Sequence, residues 1–461
     1  MLLVRKINTL PLLIRVPVYF FIVLLLIYTI GRPIQLYLGT LYKGDRAPYL
    51  QMPSPTAMTL RWQTQNAETG LINYGIQPDE LVLTAKEGAP RENHEIRLTG
   101  LKPGTRYYYN IGTQNSLHYS GPDYWFVTPH TRDDPSPVRF IVLGDPGYPG
   151  QNQKNVRDAF LNWVKLHPRE QLAPFDLLLT TGDNAYRSGT NEQFELDFFE
   201  PYETILRNVP VWPVYGNHDS RRSTFYSIFS LPVDAESGGV ASGTEHYYSF
   251  DYNQVHFIIL DTEDSDLSQN SPMLDWLKRD LKQNHQTWAV ALFHHPPYTK
   301  GSHDSDDIHD SRGRMFEIRE NVLPVLERGG VDLVLSGHSH MYERSHLVDC
   351  HYQNSDMLKQ EMLRHPDSDS EVNVYKKSPD TEPHGGTIYA VVGSSSKLSG
   401  GSRKHPVMAV TKKIMGSMII DIKDKKLEAY FISDKGSIED TFSIIKSTQP
   451  VEPFKTSCKK S

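Results

Sequence analysis

The sequence predicts an all-β sandwich followed by an α/β domain of two packed mixed β-sheets flanked by helices, behind one N-terminal membrane helix. Three observations predict this order. Short β-rich runs separated by turn residues fill residues 45–130. After residue 137, apolar strands alternate with segments of helical periodicity, which is typical of α/β domains. An apolar stretch, Leu10–Ile30, precedes both domains.

The apolar stretch predicts a membrane anchor within residues 1–44. Its charge-free part, Val16–Ile30, would span only about 23 Å as a helix, whereas a bilayer core is about 30 Å thick. Including the preceding apolar residues, with Arg15 reaching toward the head groups, gives the needed length. No small-residue cleavage site follows. We therefore expect an uncleaved signal anchor and an extracytoplasmic catalytic domain; cleavage as a signal peptide would instead make the protein secreted.

Composition limits the classes of function. The 461-residue chain is too long for one ordinary core, and its net charge of −7 with no basic run argues against a nucleic-acid partner. It has two cysteines, Cys350 and Cys458, which either form one disulfide or stay as free thiols, since spacing alone does not decide. So few thiols indicate that any metal is held by oxygen and nitrogen ligands. The sequence leaves the oligomeric state open.

Residues 45–130 contain no cluster of acid–base or ligand residues, so we interpret them as a structural or docking domain. The stretch LTGLKPGTRYYYNIGT, a Pro-Gly turn followed by a Tyr-rich strand, resembles the fibronectin type III pattern, in which such a tyrosine packs the corner of the sandwich. The polar, proline-bearing residues 131–137 predict a linker.

The second domain is predicted over residues 138–448, with a tail at 449–461. Helical periodicity covers Asn152–His167, Met273–Asn284 and Arg314–Arg328. Later strands follow one another closely and predict antiparallel pairing. The polar residues 349–383 predict a surface loop near the site.

The most informative feature of this domain is a set of apolar runs that end in metal-ligand residues. The runs are VRFIVLGDPG, FDLLLTTGDNAY, VPVWPVYGNHD, TWAVALFHHPP and VDLVLSGHSH. Ligands collect at the carboxyl ends of buried parallel strands. Hard oxygen donors with imidazoles suit two cations that clamp a phosphoryl group, and one carboxylate, naturally Asp183, must bridge them. The candidate metal ligands are Asp145, Asp183, Tyr186, Asn217, His294, His338 and His340.

This order of motifs resembles the calcineurin-like metallophosphoesterases and, within them, is most similar to the purple acid phosphatases. Many metallophosphoesterases have Asp-x-His in the first motif, whereas here Gly147 takes the place of that His and Tyr186 stands three residues past Asp183. The resemblance covers roughly residues 45–445 and implies the metallophosphoesterase αββα sandwich.

The resemblance also implies two unequal metals. Asp145, Asp183, Tyr186 and His340 would hold Fe(III). Asp183 together with Asn217, His294 and His338 would hold a divalent metal, Zn, Mn or Fe(II).

The expected reaction is hydrolysis of a small phosphate monoester by a metal-bound hydroxide. His218, beside ligand Asn217, is predicted to contact the phosphoryl group or protonate the leaving group, with Asp219 orienting it. His303 is a second candidate for substrate binding and catalysis, with His309 as its competitor. Asn217 and His295 complete the predicted substrate-binding set, although His295 is equally well explained as structural.

Two other functions remain open from the sequence. A phosphodiesterase or nucleotidase would use the same two-metal centre. A membrane-tethered binding protein with an inert phosphatase domain is the alternative of another class, and the complete ligand set argues against it.

Overall fold

The computed structural model describes residues 44–458 except 221–222, 367–372, 380, 402, 453 and 455–457. The predicted membrane anchor therefore lies outside the described residues. Within the described part of the chain, no helix combines the length and the apolar character needed to cross a bilayer.

The first domain is an all-β sandwich of two sheets, as the sequence predicts. One sheet has the order β1-β2-β5, and the other has the order β4-β3-β6-β7 with β8 also paired to β6. Tyr107 lies at the corner, where its hydroxyl accepts a hydrogen bond from the Lys102 backbone N–H at 3.0 Å. The strands are β1 (Arg46–Ser54), β2 (Ala57–Glu68), β3 (Leu71–Gly75), β4 (Leu83–Lys86), β5 (Arg91–Thr99), β6 (Arg106–Gly112), β7 (Leu117–Tyr119) and β8 (Trp125–Val127).

The second domain contains two mixed sheets. In the described part of the chain, the first has seven strands in the order β11-β10-β9-β21-β22-β23-β18. Its strands are β9 (Val138–Leu143), β10 (Leu177–Thr180), β11 (Val211–Trp212), β18 (Asn373–Lys377), β21 (Gly416–Lys423), β22 (Lys426–Ser433) and β23 (Ile438–Lys446). The run β9–β11 is parallel and β21–β23 is antiparallel, as expected of the late strands.

The second sheet has the order β12-β13-β14-β15-β19-β16-β17, with β20 paired to β16. Its strands are β12 (Tyr248–Tyr252), β13 (Val255–Ile259), β14 (Trp288–Leu292), β15 (Leu333–Ser336), β16 (Tyr342–Val348), β17 (Leu363–Arg364), β19 (Thr387–Val392) and β20 (Met408–Lys412). The prediction for β19 is only half right, because it pairs parallel to β15 and antiparallel to β16.

Helices flank the two sheets. The three predicted helices appear within one residue of their expected ends, and the last contains a π-helical turn at Ile318–Val322. Another π-helical turn, Glu195–Phe199, joins α2 to α3. The α-helical segments are α1 (Gln151–Leu166), α2 (Asn191–Phe194), α3 (Glu200–Leu206), α4 (Thr224–Ile228), α5 (Pro272–Gln283), α6 (Arg314–Glu317) and α7 (Leu323–Arg328).

The sandwich packs directly against the second domain. Tyr49 and Met52 of β1 belong to the same apolar core as the strands of the seven-stranded sheet. Arg46 is almost fully buried and donates from Nε to Glu195 Oε2 at 2.7 Å. A buried charge is stable only when it is paired, so this contact fixes the first strand against the π-helical turn.

Two buried charge clusters hold the sheets of the second domain. Asp332, before β15, accepts from Lys377 Nζ at 2.7 Å and lies 2.9 Å from Lys446 Nζ, so it joins the two sheets. Burial opposes ionisation of Asp332, but the two ammonium groups outweigh it and lower its pKa. His256 of β13 lies between two carboxylates, 2.7 Å from Asp251 and 2.8 Å from Asp280.

Candidate metal centre

The predicted ligands meet where strands of both sheets end. Asp145 and Asp183 follow the neighbouring parallel strands β9 and β10, while His294 and His338 follow β14 and β15. Parallel strands present their carboxyl ends at one edge, so short loops after them bring polar side chains together. The apolar strands are buried beneath the site, and the residues directly after them carry the predicted metal-ligand atoms.

Glycines and left-handed residues allow these loops to turn sharply. Asp145, Asp183 and His338 have φ values of 52°, 55° and 65°, a left-handed region that is uncommon for non-glycine residues and that Asp, Asn and His adopt more often than others. At Gly147, an added Cβ would lie 2.2 Å from the Asn184 carbonyl oxygen. The backbone approach that excludes a side chain here also places Tyr186, because Tyr186 N–H donates to the Gly147 carbonyl at 3.2 Å.

Four of the predicted ligands form one half of the site around the Tyr186 hydroxyl. That oxygen lies 2.9 Å from Asp183 Oδ2, 3.3 Å from Asp145 Oδ1 and 3.3 Å from His340 Nε2. Three oxygens and one imidazole nitrogen thus converge on one point, a donor combination that suits a hard cation.

The remaining ligands form the other half around the Asn217 amide oxygen. Asn217 Oδ1 lies 2.9 Å from His294 Nε2 and 3.0 Å from His338 Nδ1. The second oxygen of Asp183, Oδ1, lies 3.5 Å from His294 Nε2. Asp183 therefore turns one carboxylate oxygen toward each half, which is the geometry of a bridging ligand.

The histidines are oriented for metal binding by hydrogen bonds at their other nitrogens. His294 Nδ1 is 2.8 Å from the Thr181 carbonyl, His340 Nδ1 is 2.8 Å from Ser399 Oγ, and His338 Nε2 is 2.6 Å from Ser311 Oγ. A carbonyl oxygen can only accept a hydrogen bond. His294 therefore carries its hydrogen on Nδ1 and presents a lone pair on Nε2. The donor set accordingly fits two cations.

Burial favours the neutral forms of the ligand side chains, which suits the histidines as electron donors but opposes ionisation of Tyr186. Burial lowers the pKa of His338 well below its usual value, and burial with the nearby Lys397 lowers that of His340 to about 4. Burial, followed by the Asp183 charge, raises the pKa of the Tyr186 hydroxyl. A phenolate here consequently requires a strong cation beside it.

The comparisons with known proteins agree with this geometry. Residues 138–342 match the calcineurin-like phosphoesterase family, and residues 46–128 match the purple acid phosphatase N-terminal domain family. The chain belongs to the purple acid phosphatase family. By distant homology it is similar to acid phosphatase-type metallophosphoesterases.

Individual purple acid phosphatases resemble the chain over part of their length. Probable purple acid phosphatase 20 of Arabidopsis thaliana is 25% identical over 64% of this chain and 68% of that protein. Purple acid phosphatase 15 of the same plant is 28% identical over 55% of this chain and 50% of its own length. The chain thus spans between half and about two thirds of the length of these relatives.

A solved structure shares the fold. The purple acid phosphatase PPD1 from yellow lupin (Lupinus luteus) seeds superposes with a TM-score of 0.68 at 17% identity, covering 88% of this chain and 75% of that one. At this identity the likeness concerns the fold alone, in which both the sandwich and the two-sheet domain take part.

In this member of the purple acid phosphatase family, His218 lies beside the bridging carboxylate. Its Nε2 is 4.0 Å from Asp183 Oδ2, and its ring centroid is 4.4 Å from that of Tyr186. The Arg187 carbonyl, 2.9 Å from Nδ1, holds the ring. The ring is partly exposed and points an imidazole nitrogen toward the space above the metal site.

Asp219, expected to orient His218, has a different set of partners. Its carboxylate accepts from the backbone N–H groups of Asn184, Ala185 and Gly216 and from the Asn184 side-chain amide, at 2.8–3.2 Å. Those residues flank Asp183 and Asn217. The geometry therefore gives Asp219 the role of holding two ligand loops together, and the Arg187 carbonyl that of orienting His218.

His303 lies over the other half of the site. Its ring stacks on ligand His338 at a centroid distance of 4.0 Å, and Asp310 Oδ1 lies 2.8 Å from its Nδ1. His309, its competitor from the sequence, is exposed on the same loop. A cavity of about 390 Å³ opens here, lined in part by Asn217, His303 and His338.

His295 also lines this cavity, although it is almost completely buried. Its Nδ1 lies 3.0 Å from Thr262 Oγ1 and its Nε2 lies 3.6 Å from Glu263 Oε2. Burial and the neighbouring His294 lower its pKa well below the usual value. His295 is therefore a buried residue in the cavity wall, and its contact with substrate stays a prediction.

Several contributors could not be found from the motifs. Glu263 and Arg312 pair with each other at the cavity, and Ser311 and Ser399 orient ligand histidines. Each lies in a loop without a motif, so no local pattern marks it. The structure also pairs Cys350 with Cys458 as a disulfide, with a Cα–Cα distance of 5.4 Å.

Proposed function

We propose that the protein hydrolyses phosphate monoesters at a dinuclear centre of Fe(III) and a divalent metal, Zn, Mn or Fe(II). The observation that carries this proposal is the position of the Tyr186 hydroxyl, within 3.3 Å of both aspartates and His340. Phenolate stabilises ferric iron, whereas the Asn217 half, with its two imidazoles, suits a divalent ion.

The charge of such a centre suits an anionic substrate. The five positive charges of the two metals would exceed the negative charges of the two carboxylates and one phenolate. Phosphate would therefore meet a positive site in an otherwise acidic protein. When bound, the metals would polarise the phosphoryl oxygens and lower the pKa of water toward neutrality.

The chain's own side chains would position the ester and move protons. His218 stands on the Tyr186 side and His303 on the His338 side, so the two rings flank the space above the ligands. Asp310 fixes the His303 ring over the cavity by accepting a hydrogen bond from Nδ1, and a proton on Nε2 would let the ring donate to a phosphoryl oxygen. His218, whose Nδ1 donates to a carbonyl, has Nε2 for proton transfer with the leaving group.

Metal analysis with a Tyr186→Phe variant tests the proposed centre. The purified protein should contain iron and show a visible phenolate-to-iron absorption band, and Tyr186→Phe should remove the band. Tyr148→Phe is the matched control, because Tyr148 packs against Tyr186 at 5.7 Å between ring centroids without joining the ligand cluster. A variant at Tyr186 that keeps the band would refute the ligand assignment.

The type of ester is tested by comparing phenyl phosphate with a bis-phosphodiester across pH. We expect faster hydrolysis of the monoester, and the opposite preference would assign the chain to phosphodiesterases or nucleotidases on the same centre. Complete inactivity of fully metal-loaded protein would favour a binding protein with an inert domain.

We also propose that the N-terminal apolar stretch anchors the protein, with the catalytic domain on the extracytoplasmic side. The length of Leu10–Ile30 supports it, and the disulfide suits an oxidising compartment. Full-length protein should stay with membranes during alkaline extraction, and its catalytic domain should be digested by protease added outside the cell. Release of intact protein into the medium would indicate cleavage instead.

A further inference from the structure

A second cluster of metal-ligand side chains lies away from the proposed catalytic centre. Asp349, Cys350, His384 and Cys458 bring one ligand atom each to within 4.8 Å of one another. The chain contains two cysteines, and both are in this cluster. We propose that, when the disulfide is reduced, these four side chains form a Zn²⁺ site, so that Zn²⁺ binding and disulfide formation exclude each other.

The distances between donors match the edges of a zinc tetrahedron. With Zn–S near 2.3 Å and Zn–N near 2.0 Å, an edge between sulfur and nitrogen is about 3.5 Å. Cys458 Sγ lies 3.3 Å and Cys350 Sγ 3.9 Å from His384 Nδ1. Asp349 Oδ1 lies 3.0 Å from His384 Nδ1, and Asp349 Oδ2 lies 3.0 Å from Cys350 Sγ. The two sulfurs must separate to about 3.8 Å when they change from a disulfide to two ligands, and the Asp349 carboxylate must move by a few tenths of an ångström to present one oxygen to the ion.

The chain around the cluster permits this change. Cys458 lies beyond the end of β23 and belongs to neither sheet, whereas Asp349 and Cys350 directly follow β16 and are buried. Cys350 and His384 have left-handed φ values of 65° and 57°, the kind of backbone that persists where surrounding contacts fix it. The His384 side chain is about a third exposed, which gives an ion a path of entry.

The chemistry balances with a named reductant. A phosphine takes up oxygen from water as the disulfide bond breaks, and two thiols form. Zn²⁺ then binds both sulfurs as thiolates and releases two protons. Reoxidation by a disulfide reagent removes the two ligands and expels the ion. The sequence indicated only oxygen and nitrogen ligands because two thiols are too few alone; the structure supplies the missing donors from Asp349 and His384.

Cobalt substitution tests the site independently of the proposed function. The full protein is freed of metal, reduced with a phosphine and titrated with Co²⁺. We expect a near-ultraviolet thiolate-to-cobalt absorption band that saturates, disappears on reoxidation and is displaced by Zn²⁺. The proposed catalytic centre has no cysteine, so Co²⁺ bound there gives no such band. The result therefore does not depend on whether the protein hydrolyses phosphate monoesters.

His384→Ala keeps both cysteines and should lower the Co²⁺ affinity, measured from the intensity of this band, at least tenfold. Exposed His285→Ala is the matched control and should bind as the unaltered protein does. Cys458→Ser should abolish the band. If Cys458→Ser does not fold, the change in Co²⁺ affinity of His384→Ala tests the proposal instead. A reduced protein without the band, or a His384→Ala variant with unchanged affinity, would overturn the proposal.

Discussion

Gly147→Ala should disrupt the metal centre although it adds only a methyl group. The new Cβ would lie 2.2 Å from the Asn184 carbonyl oxygen, 2.3 Å from its carbon and 2.5 Å from the Ala185 nitrogen. An ordinary C···O contact is about 3.3 Å, so this backbone must move by about 1 Å. It lies between Asp183 and Tyr186, and therefore both halves of the site would shift with it.

The expected loss is larger in function than in stability. Overpacking of this size costs about 1–3 kcal/mol, whereas misplacing reacting groups by about 1 Å can cost about 10²-fold in rate. Urea denaturation, iron content and kcat/KM with phenyl phosphate measure the three effects. Gly88→Ala in the sandwich is the control, because its Cβ meets nothing within 4 Å. Wild-type iron content and turnover in Gly147→Ala would show that the close approach does not set the ligand geometry.

Three further predictions concern other parts of the domain. His303→Ala should keep both metals, because this ring stacks on ligand His338 without belonging to the ligand set. It should lower kcat/KM by about 10²-fold. Loss of metal from this variant would instead show that His303 supports the structure of the site. Asp332→Asn should lower the free energy of unfolding by about 3–5 kcal/mol in urea denaturation, since it leaves two lysines buried without their carboxylate; an unchanged midpoint would contradict this. Burial opposes protonation of His256, but its two carboxylate partners raise its pKa to about 9. Its contribution to stability is therefore complete below about pH 6.5 and is lost as pH rises through about 9, so His256→Gln should flatten the stability–pH curve in that window.

The sequence predicts those parts of the fold that depend on local pattern. Periodicity placed the helix of Gln151–Leu166 within one residue, because an amphipathic face needs no knowledge of its partner. The parallel pairing of β19 with β15 was missed, because register between distant strands depends on which edge is free in the folded sheet. The π-helical turn at Ile318–Val322 likewise has no signal in a hydrophobic pattern.

The candidate site divides in the same way. The structure brings the seven predicted ligand side chains together, and their role as ligands stays a prediction. Their proximity could be predicted because each lies shortly after a buried strand. The partners that orient them could not, since Ser399 reaches His340 from 59 residues away and Ser311 reaches His338 from another loop. Asp219 shows the limit most clearly: its place next to His218 suggests a catalytic pair, but consecutive side chains leave a tight turn in different directions.

The arrangement of Gly147 and Tyr186 gives the two halves of the proposed metal site different donor atoms. A histidine at 147 would need the space that the Asn184 carbonyl fills, so the first half of the site loses an imidazole. The same close backbone contact carries the chain from Asp183 into Tyr186, whose hydroxyl then occupies the point between both carboxylates. The position of the Tyr186 hydroxyl and the absence of a side chain at residue 147 therefore depend on the same close backbone contact. It follows that restoring a histidine at 147 would displace the loop that holds the tyrosine, and would not simply exchange one ligand for another.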